Sequence, residues 1–348
     1  MAAIPLREET LKELKDKVVV ISGSAHGIGL ATVQLLHTHG AHVIHGDWDS
    51  QAGSSIDSSI ASSSASKVQV PDGSTTFVQT DVTDYDSVLR LFDTALKKHG
   101  RVDVAISNAG VQEAGEWFEK GLDLEGVRTK PTTKTLDVNL LGCMYFARIA
   151  CVYLKEGNTA KADKSLILVS STAGFKETPG IFAYTAAKHG VIGLLRSLRP
   201  YLPTTHHIRT NAICPWMTDT AMVLGIRDAW LAASLPVNTP ESVARVIVET
   251  ALGAVPEGEE RLKDEGVVEG EGRGRDGKAA DGENGKGENG DGKGEGKVRY
   301  NGRAVFVEGG RGWDIEVGIE GTEERWLGRE VSRTLGRGQV VLGDGKDW

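Results

Sequence analysis

The stretch VVVISGSAHGIGLATVQLLHTHGAHVIHGD, Val18 to Asp47, sets the expectation for the whole chain. A short β-branched run ends in a glycine-rich turn, helical spacing follows, and a second apolar run closes on an acid. Strand, turn, helix and strand of these lengths make a βαβ unit. Within it, SGSAHGIG (Ser22 to Gly29) joins the first strand to the helix. N–H groups at a helix start carry partial positive charge, and glycine lets a pyrophosphate approach the main chain closely. Three glycines in a turn also fit a plain tight loop. The strand before, the helix after and Asp47 about 20 residues on point instead to a dinucleotide site lined by Gly23, Ser24, His26, Gly27, Ile28 and Gly29. Asp47 closes the second strand, where a carboxylate accepts ribose hydroxyls and repels an added phosphate, so NAD is expected over NADP. His26 is the one residue that could favour the phosphate, but an ordinary histidine is mostly neutral at pH 7.

The same phrase recurs outward from this unit. Val18–Ser22, Ala41–Asp47, Thr75–Asp81, Val102–Ser107, Ser165–Ser171 and His207–Cys214 read as strands, and Arg303–Gly310 as a last one. They are largely apolar rather than alternating, as strands buried on both faces of a parallel sheet should be. Helical spacing falls at 28–39, 84–99, 133–154, 183–202 and 241–252. Alternating β and α predicts a single α/β domain of doubly wound, Rossmann type, its parallel sheet flanked by helices, over residues 15–255 and 298–310. The Ser-rich run from Asp49 reads as a poorly ordered helix and loop. Residues 256–297 are about a third Gly with few apolar side chains and read as a disordered low-complexity insert. Residues 311–348 read as a C-terminal tail.

Composition narrows the function. The chain has 348 residues, 44 of them Gly, and a net charge of −8. The insert carries 13 acids and 8 bases, so most of that charge belongs to it. Without a basic run, neither nucleic acid nor an anionic membrane is an expected partner. Cys143, Cys151 and Cys214 are too scattered for a disulfide framework, and no spacing of metal ligands is present, so no metal is expected. The first residues lack a continuous apolar core, so no secretory signal is read there. No window approaches the ~20 apolar residues of a spanning helix, and a cytoplasmic protein is expected.

Tyr184 and Lys188 in AYTAAKHG are four apart and share one helix face. An ammonium beside a phenol favours the phenolate, which makes a general base. The pair equally suits an amphipathic helix with a snorkelling lysine. Its combination with SGSAHGIG, with SNAG (Ser107 to Gly110) after the fourth strand, and with Ser171 thirteen residues before Tyr184 resembles the short-chain dehydrogenase/reductase family in order and spacing. The resemblance covers about 15–252 and resumes at Arg303.

It implies a catalytic tetrad of Asn139, Ser171, Tyr184 and Lys188, with Ser170 the lesser candidate for the serine. It also implies that Lys188 grips the nicotinamide ribose. Asp81 and Val82 resemble the pair that contacts adenine, and Asn108, Ala109 and Gly110 the turn that supports the cofactor. In NAICPWMTDTAM, Pro215 and Thr218 fit the carboxamide-binding loop, while Trp216 replaces the usual Gly. Met217 to Leu235 is expected to form a lid, with Trp216, Met222 and Trp230 as candidate pocket residues for a lipophilic alcohol or ketone. The DWD of Asp47, Trp48 and Asp49, together with the C-terminal NGRAVFVEGGRGWDIE, resembles the NAD-preferring, hydroxyprostaglandin-dehydrogenase-like branch. Hydride transfer between a nicotinamide cofactor and a secondary alcohol or ketone is the implied reaction. An NADP-dependent carbonyl reductase and a noncatalytic dinucleotide sensor are the alternatives. A homodimer or homotetramer is implied by resemblance.

Overall fold

A computed structural model describes residue 4 and residues 6–63, 73–156, 163–253 and 300–342. The insert expected at 256–297 lies outside these residues. Eight strands form one sheet: β1 (Val18–Ser22), β2 (His42–Asp47), β3 (Ser74–Gln79), β4 (Val104–Ser107), β5 (Lys164–Val169), β6 (Ile208–Pro215), β7 (Ala304–Glu308) and β8 (Arg311–Asp314). Their order is β3-β2-β1-β4-β5-β6-β7-β8, with seven parallel strands and β8 antiparallel to β7. β1 pairs with β2 on one side and β4 on the other, so the winding reverses there. Such a reversal opens a crevice beyond the C-terminal strand ends, and the glycine turn sits at this one.

Apolar residues on both strand faces explain the layers. Val18 and Val20 of β1 join one core with Leu91, Phe92, Phe146 and Val191, from the helices Tyr85–His99, Cys143–Lys155 and Phe182–Leu198. Val19 and Ile21 face a second core with Val33 and Leu36 of the helix Gly27–Thr38 and Val243 and Ile247 of the helix Pro240–Ala251. Each fully buried aliphatic side chain contributes about 1.5–3 kcal/mol. Edge strand β3 is only half buried and is covered by the helix Ser50–Ser63, where Gly53 leaves room for the Phe77 ring.

Three expectations need revision. The helix expected over 183–202 ends at Leu198, and a short helix, Leu202–His206, follows Pro200, whose ring cannot continue the hydrogen-bond ladder. The last strand stops at Glu308, because Gly309 (φ +56°) and Gly310 (φ +74°) form a two-residue turn into β8, a strand read from sequence as tail. The helical run Lys134–Lys155 has 22 residues and a mean hydropathy of 1.3, enough by length and composition to cross a membrane. Charged Asp137 and Arg148 interrupt it, so no uninterrupted apolar run shows in the sequence. In the fold it is a layer of the first core, burying Phe146, Ala147, Ile149, Ala150 and Leu154.

Two tethers bind the C-terminal part of the chain. Glu316, 1% exposed, accepts from Arg196 at 2.9 Å and from Arg199 at 2.8 Å, joining the segment after β8 to the helix Phe182–Leu198 and the residue just past its end. Arg209 of β6 donates to the carbonyls of Thr250, Ala251 and Tyr300. The Tyr300 N–H in turn meets the Gly253 carbonyl at 3.4 Å.

Candidate active site

The glycine turn is built by backbone contacts that admit no side chain. A Cβ on Gly29 would lie 1.9 Å from the Gly23 carbonyl oxygen, and one on Gly23 (φ +71°) would lie 2.5 Å from Ala109 Cα. Asn108 Nδ2 donates to the Gly23 carbonyl at 2.7 Å, and Ser22 Oγ accepts from the N–H groups of Asn108 and Ala109. The Asn108–Gly110 turn thus braces the glycine turn across β1 and β4. His26, the N-cap of the helix Gly27–Thr38, makes no side-chain cap, so the first helical N–H groups have no acceptor from that side chain. A cradle with no Cβ, facing an uncapped helix start, fits a pyrophosphate.

Ser24 is fully buried and bonds His45 Nδ1 at 3.0 Å, whose Nε2 reaches Asp57 Oδ1 at 2.9 Å. Asp47 ends β2 nearly buried, accepting from Ala25 N–H at 2.9 Å and Asp49 N–H at 3.0 Å. A carboxylate has about four acceptor positions, so two remain for hydroxyl groups. His26 Nε2 lies 3.4 Å from Asp49 Oδ2, and its side chain is exposed. Hydrogen bonding from the Ala52 N–H, and then from His26, holds the Asp49 carboxyl below the usual range. Trp48 is 75% exposed, so its ring points to solvent. Asp81 turns on itself to accept from the Thr83 N–H and hydroxyl, while Val82 packs where a Cβ on Gly142 would stand.

Past the crevice, Asn139 lies in a π-helical stretch, Asp137–Gly142, a wider turn common at functional sites. Its side-chain amide is spent on both main-chain groups of Val111, each at 2.8 Å. A Cβ on Gly110 would lie 3.3 Å from Asn139 Oδ1 and 3.7 Å from Lys188 Nζ, so one glycine separates the two side chains. Lys188 is buried, donates to the Val169 carbonyl at 3.0 Å, and its Nζ lies 5.6 Å from the Tyr184 ring centroid. Ser170 spends its hydroxyl on the Lys188 carbonyl at 2.9 Å. Ser171 Oγ accepts from the Ala173 N–H at 3.2 Å, which leaves its own O–H to donate.

The segment after β6 differs from the sequence expectation. Thr218 is buried, donates to the Trp216 carbonyl at 3.0 Å and bridges to Asn238, so it turns inward. Thr220 is the residue that reaches the glycine turn: a Cβ on Gly27 would lie 2.9 Å from its Cγ2. The backbone of Met217 and Asp219, on either side of Thr218, pairs with Asn238. Pro215 ends β6, and its carbonyl accepts from Thr172 Oγ1 at 3.2 Å. Trp216 meets Trp230 edge-on at 5.2 Å and Phe306 at 5.9 Å, while Met222 lies on the exposed side. The expected lid contains the helix Leu224–Ala232, with Arg227 paired to Asp219. Among the described residues no cluster of His, Cys, Asp or Glu could hold a metal ion, and all three cysteines are free. Burial pushes the Cys214 thiol up to about 12.

The family model described as short chain dehydrogenase matches residues 17–229. The chain belongs to the short-chain dehydrogenase family. A short-chain dehydrogenase/reductase named ascJ, from Acremonium egyptiacum, is 38% identical over 224 residues, covering 64% of this chain and 70% of that one. The one named prx4, from Penicillium roqueforti, is 32% identical over 270 residues, or 77% and 75%. A 5'-hydroxyaverantin dehydrogenase of Dothistroma septosporum is 30% identical over 282 residues, or 73% and 89%. Among solved structures, that of gox2181 has a TM-score of 0.56 at 26% identity, covering 70% of this chain and 91% of its own. As a short-chain dehydrogenase, the protein is an NAD(P)-dependent oxidoreductase acting on CH–OH groups of a small molecule.

Proposed function

We propose that this enzyme transfers hydride between NAD and a lipophilic secondary alcohol or its ketone, with Tyr184 as the acid–base residue. The carrying observation is Lys188, whose Nζ stands 5.6 Å from the Tyr184 ring centroid and is separated from the Asn139 side chain by Gly110 alone. In oxidation, Tyr184 takes the hydroxyl proton as the carbinol carbon gives up its hydride and becomes a carbonyl carbon. The ammonium of Lys188, 5.6 Å from the Tyr184 ring centroid, would stabilise negative charge developing in the transition state. Ser171 donates to the substrate oxygen throughout, and reduction runs the same steps backwards. NAD, when bound, supplies the ring that accepts or returns the hydride. Gly23, Ser24, His26, Gly27, Ile28 and Gly29 would hold its phosphates, Asp47 and Trp48 its adenosine ribose side, and Asp81 and Val82 its adenine. Asn108, Ala109, Gly110, Lys188, Pro215 and Thr220 would flank its nicotinamide half, Thr220 taking the place first given to Thr218.

NAD is preferred in this reading because the buried carboxylate of Asp47 would meet the ribose, and the His26 side chain already lies 3.4 Å from Asp49 Oδ2. Trp216, Trp230 and the apolar Met222, Leu224 and Ile226 support a lipophilic substrate, as does the naming of one relative as a dehydrogenase of a hydroxylated compound. Exposed Leu141, Met144 and Val152 on one face of the 134–155 helix support assembly as a homodimer or homotetramer. A screen of NADH formation across secondary alcohols, with Tyr184→Phe alongside, tests the reading. Turnover that survives in purified Tyr184→Phe, or tighter binding of NADP than NAD, refutes the corresponding part.

A further inference from the structure

The helix Phe182–Leu198 carries Tyr184 and Lys188 yet brings no cap of its own, since Ile181 at its N-cap offers no side-chain acceptor. The acceptor comes from 70 residues upstream: Glu113 Oε1 accepts the Ala183 N–H at 3.0 Å, and Oε2 accepts the Tyr184 N–H at 2.7 Å. One carboxylate thereby satisfies two of the four amides that a helix start leaves open. The strip that carries Glu113 is held on its other side as well. Val111 exchanges two hydrogen bonds with Asn139. The Ala114 N–H donates to Thr135 Oγ1 at 2.8 Å, and Thr135 Oγ1 donates to the Gln112 carbonyl at 3.1 Å. Four consecutive residues, 111–114, therefore span from the helical region of Thr135 and Asn139 to the first turn of the Tyr184 helix.

We propose that Glu113 is a positioning residue, tying this strip to the Tyr184 helix and so fixing where Tyr184 and Lys188 stand relative to Asn139. The inference rests on Tyr184 being the proton-handling group. A cap and a tether are separable. A cap can be supplied by any acceptor at the N-cap, whereas the polar tether comes from position 113, and the edge-on contact of Phe118 with Phe182 at 5.1 Å is left intact by its replacement. In Glu113→Gln the single carbonyl oxygen can serve one amide, while the new NH₂ faces the other donor. Adding Ile181→Asp supplies a local cap without restoring the tether.

The test compares the full chain with E113Q and with E113Q/I181D by thermal unfolding, steady-state kinetics with NAD and a turned-over secondary alcohol, and hydrogen exchange read by mass spectrometry. E113Q should lose stability and at least tenfold in kcat, with KM for NAD within about twofold. The double variant should regain stability but not kcat, and residues 111–117 should stay fast-exchanging. Recovery of kcat along with stability, unchanged kcat in E113Q, or restored protection across 111–117 in the double variant overturns the proposal. The exchange arm reads the tether whether or not an alcohol is turned over. Tyr184→Phe reports separately on the underlying reaction, since activity in that variant would remove the tyrosine's role and leave the exchange result standing.

Discussion

The Lys188 ammonium stands 5.6 Å from the centre of the Tyr184 ring while one of its protons is committed to the Val169 carbonyl at 3.0 Å. That single bond fixes a buried cation beside the phenol and leaves two further donors. Lys188→Met keeps the apolar stem and removes the charge. Alcohol oxidation should fall by about 10²–10⁴ in kcat, the range of lost acid–base catalysis, with NAD binding at least tenfold weaker. Steady-state rates and calorimetric titration check both; an unchanged kcat would take Lys188 out of the mechanism.

Gly29→Ala should disable the dinucleotide turn, because its Cβ would press to 1.9 Å of the Gly23 oxygen and to 2.7 Å of Asn108 Nδ2. Relief requires backbone movement, costing about 1–3 kcal/mol and breaking the Asn108–Gly23 bond. NAD affinity should drop more than tenfold. Gly100→Ala is the control: its φ of +71° makes it costly by about 1 kcal/mol, yet nothing lies within 4 Å and it is remote from the turn, so NAD affinity should hold.

The two threonines after β6 should separate cleanly. Thr220→Val should raise KM for NAD by about two- to tenfold, the worth of one hydrogen bond, and leave unfolding unchanged. Thr218→Val removes a buried donor to the Trp216 carbonyl, so it should lower stability by about 1 kcal/mol with little effect on KM. The reverse pattern would return Thr218 to the site.

Glu316 is a costly charge to remove. Its loss leaves Arg196 and Arg199 without their buried partner, and urea unfolding of Glu316→Ala should show a deficit of about 3 kcal/mol. Turnover measured well below the transition should stay near that of the parent.

Asp57 gives a pH signature. Burial raises its carboxyl, but hydrogen bonds from His45, Thr75 and the Phe77 N–H and the His45 charge outweigh it and bring it down to about 2. A carboxyl depressed from 3.8 in the folded state stabilises fully above about pH 4, and that gain fades as pH falls toward 2. Allowing for screening at a side chain 35% exposed, Asp57→Asn should cost about 1 kcal/mol at pH 7. Near pH 3 roughly half the deficit should remain. A deficit that does not change between pH 7 and 3 would assign it to packing instead of charge.

Seven strands of a doubly wound sheet were legible because β-branched runs such as Val18–Ile21 bury both faces and cannot be exposed helices, whereas the strand order was not. β8 was not, since Arg-Gly-Trp-Asp has no apolar run; only the Gly309-Gly310 pair, a two-residue hairpin signal, announces it. In the site, the Tyr184–Lys188 spacing and the glycine turn follow local periodicity and could be read directly. Glu113 and Thr220 could not, because each acts through a contact with a distant segment. The inward turn of Thr218 comes with its pairing to Asn238, which sequence periodicity does not encode.

One guanidinium, that of Arg209, holds carbonyls on either side of the 254–299 stretch, and Gly253 and Tyr300 touch across it. Gly253 and Tyr300 therefore meet at one point of the fold although 46 residues separate them in the sequence. Loop closure costs only ~0.6 kcal/mol more for each doubling of length. The junction is thus a socket in the polypeptide: a place where a reporter domain can be spliced in, or new chain ends opened, while the dinucleotide crevice keeps its shape.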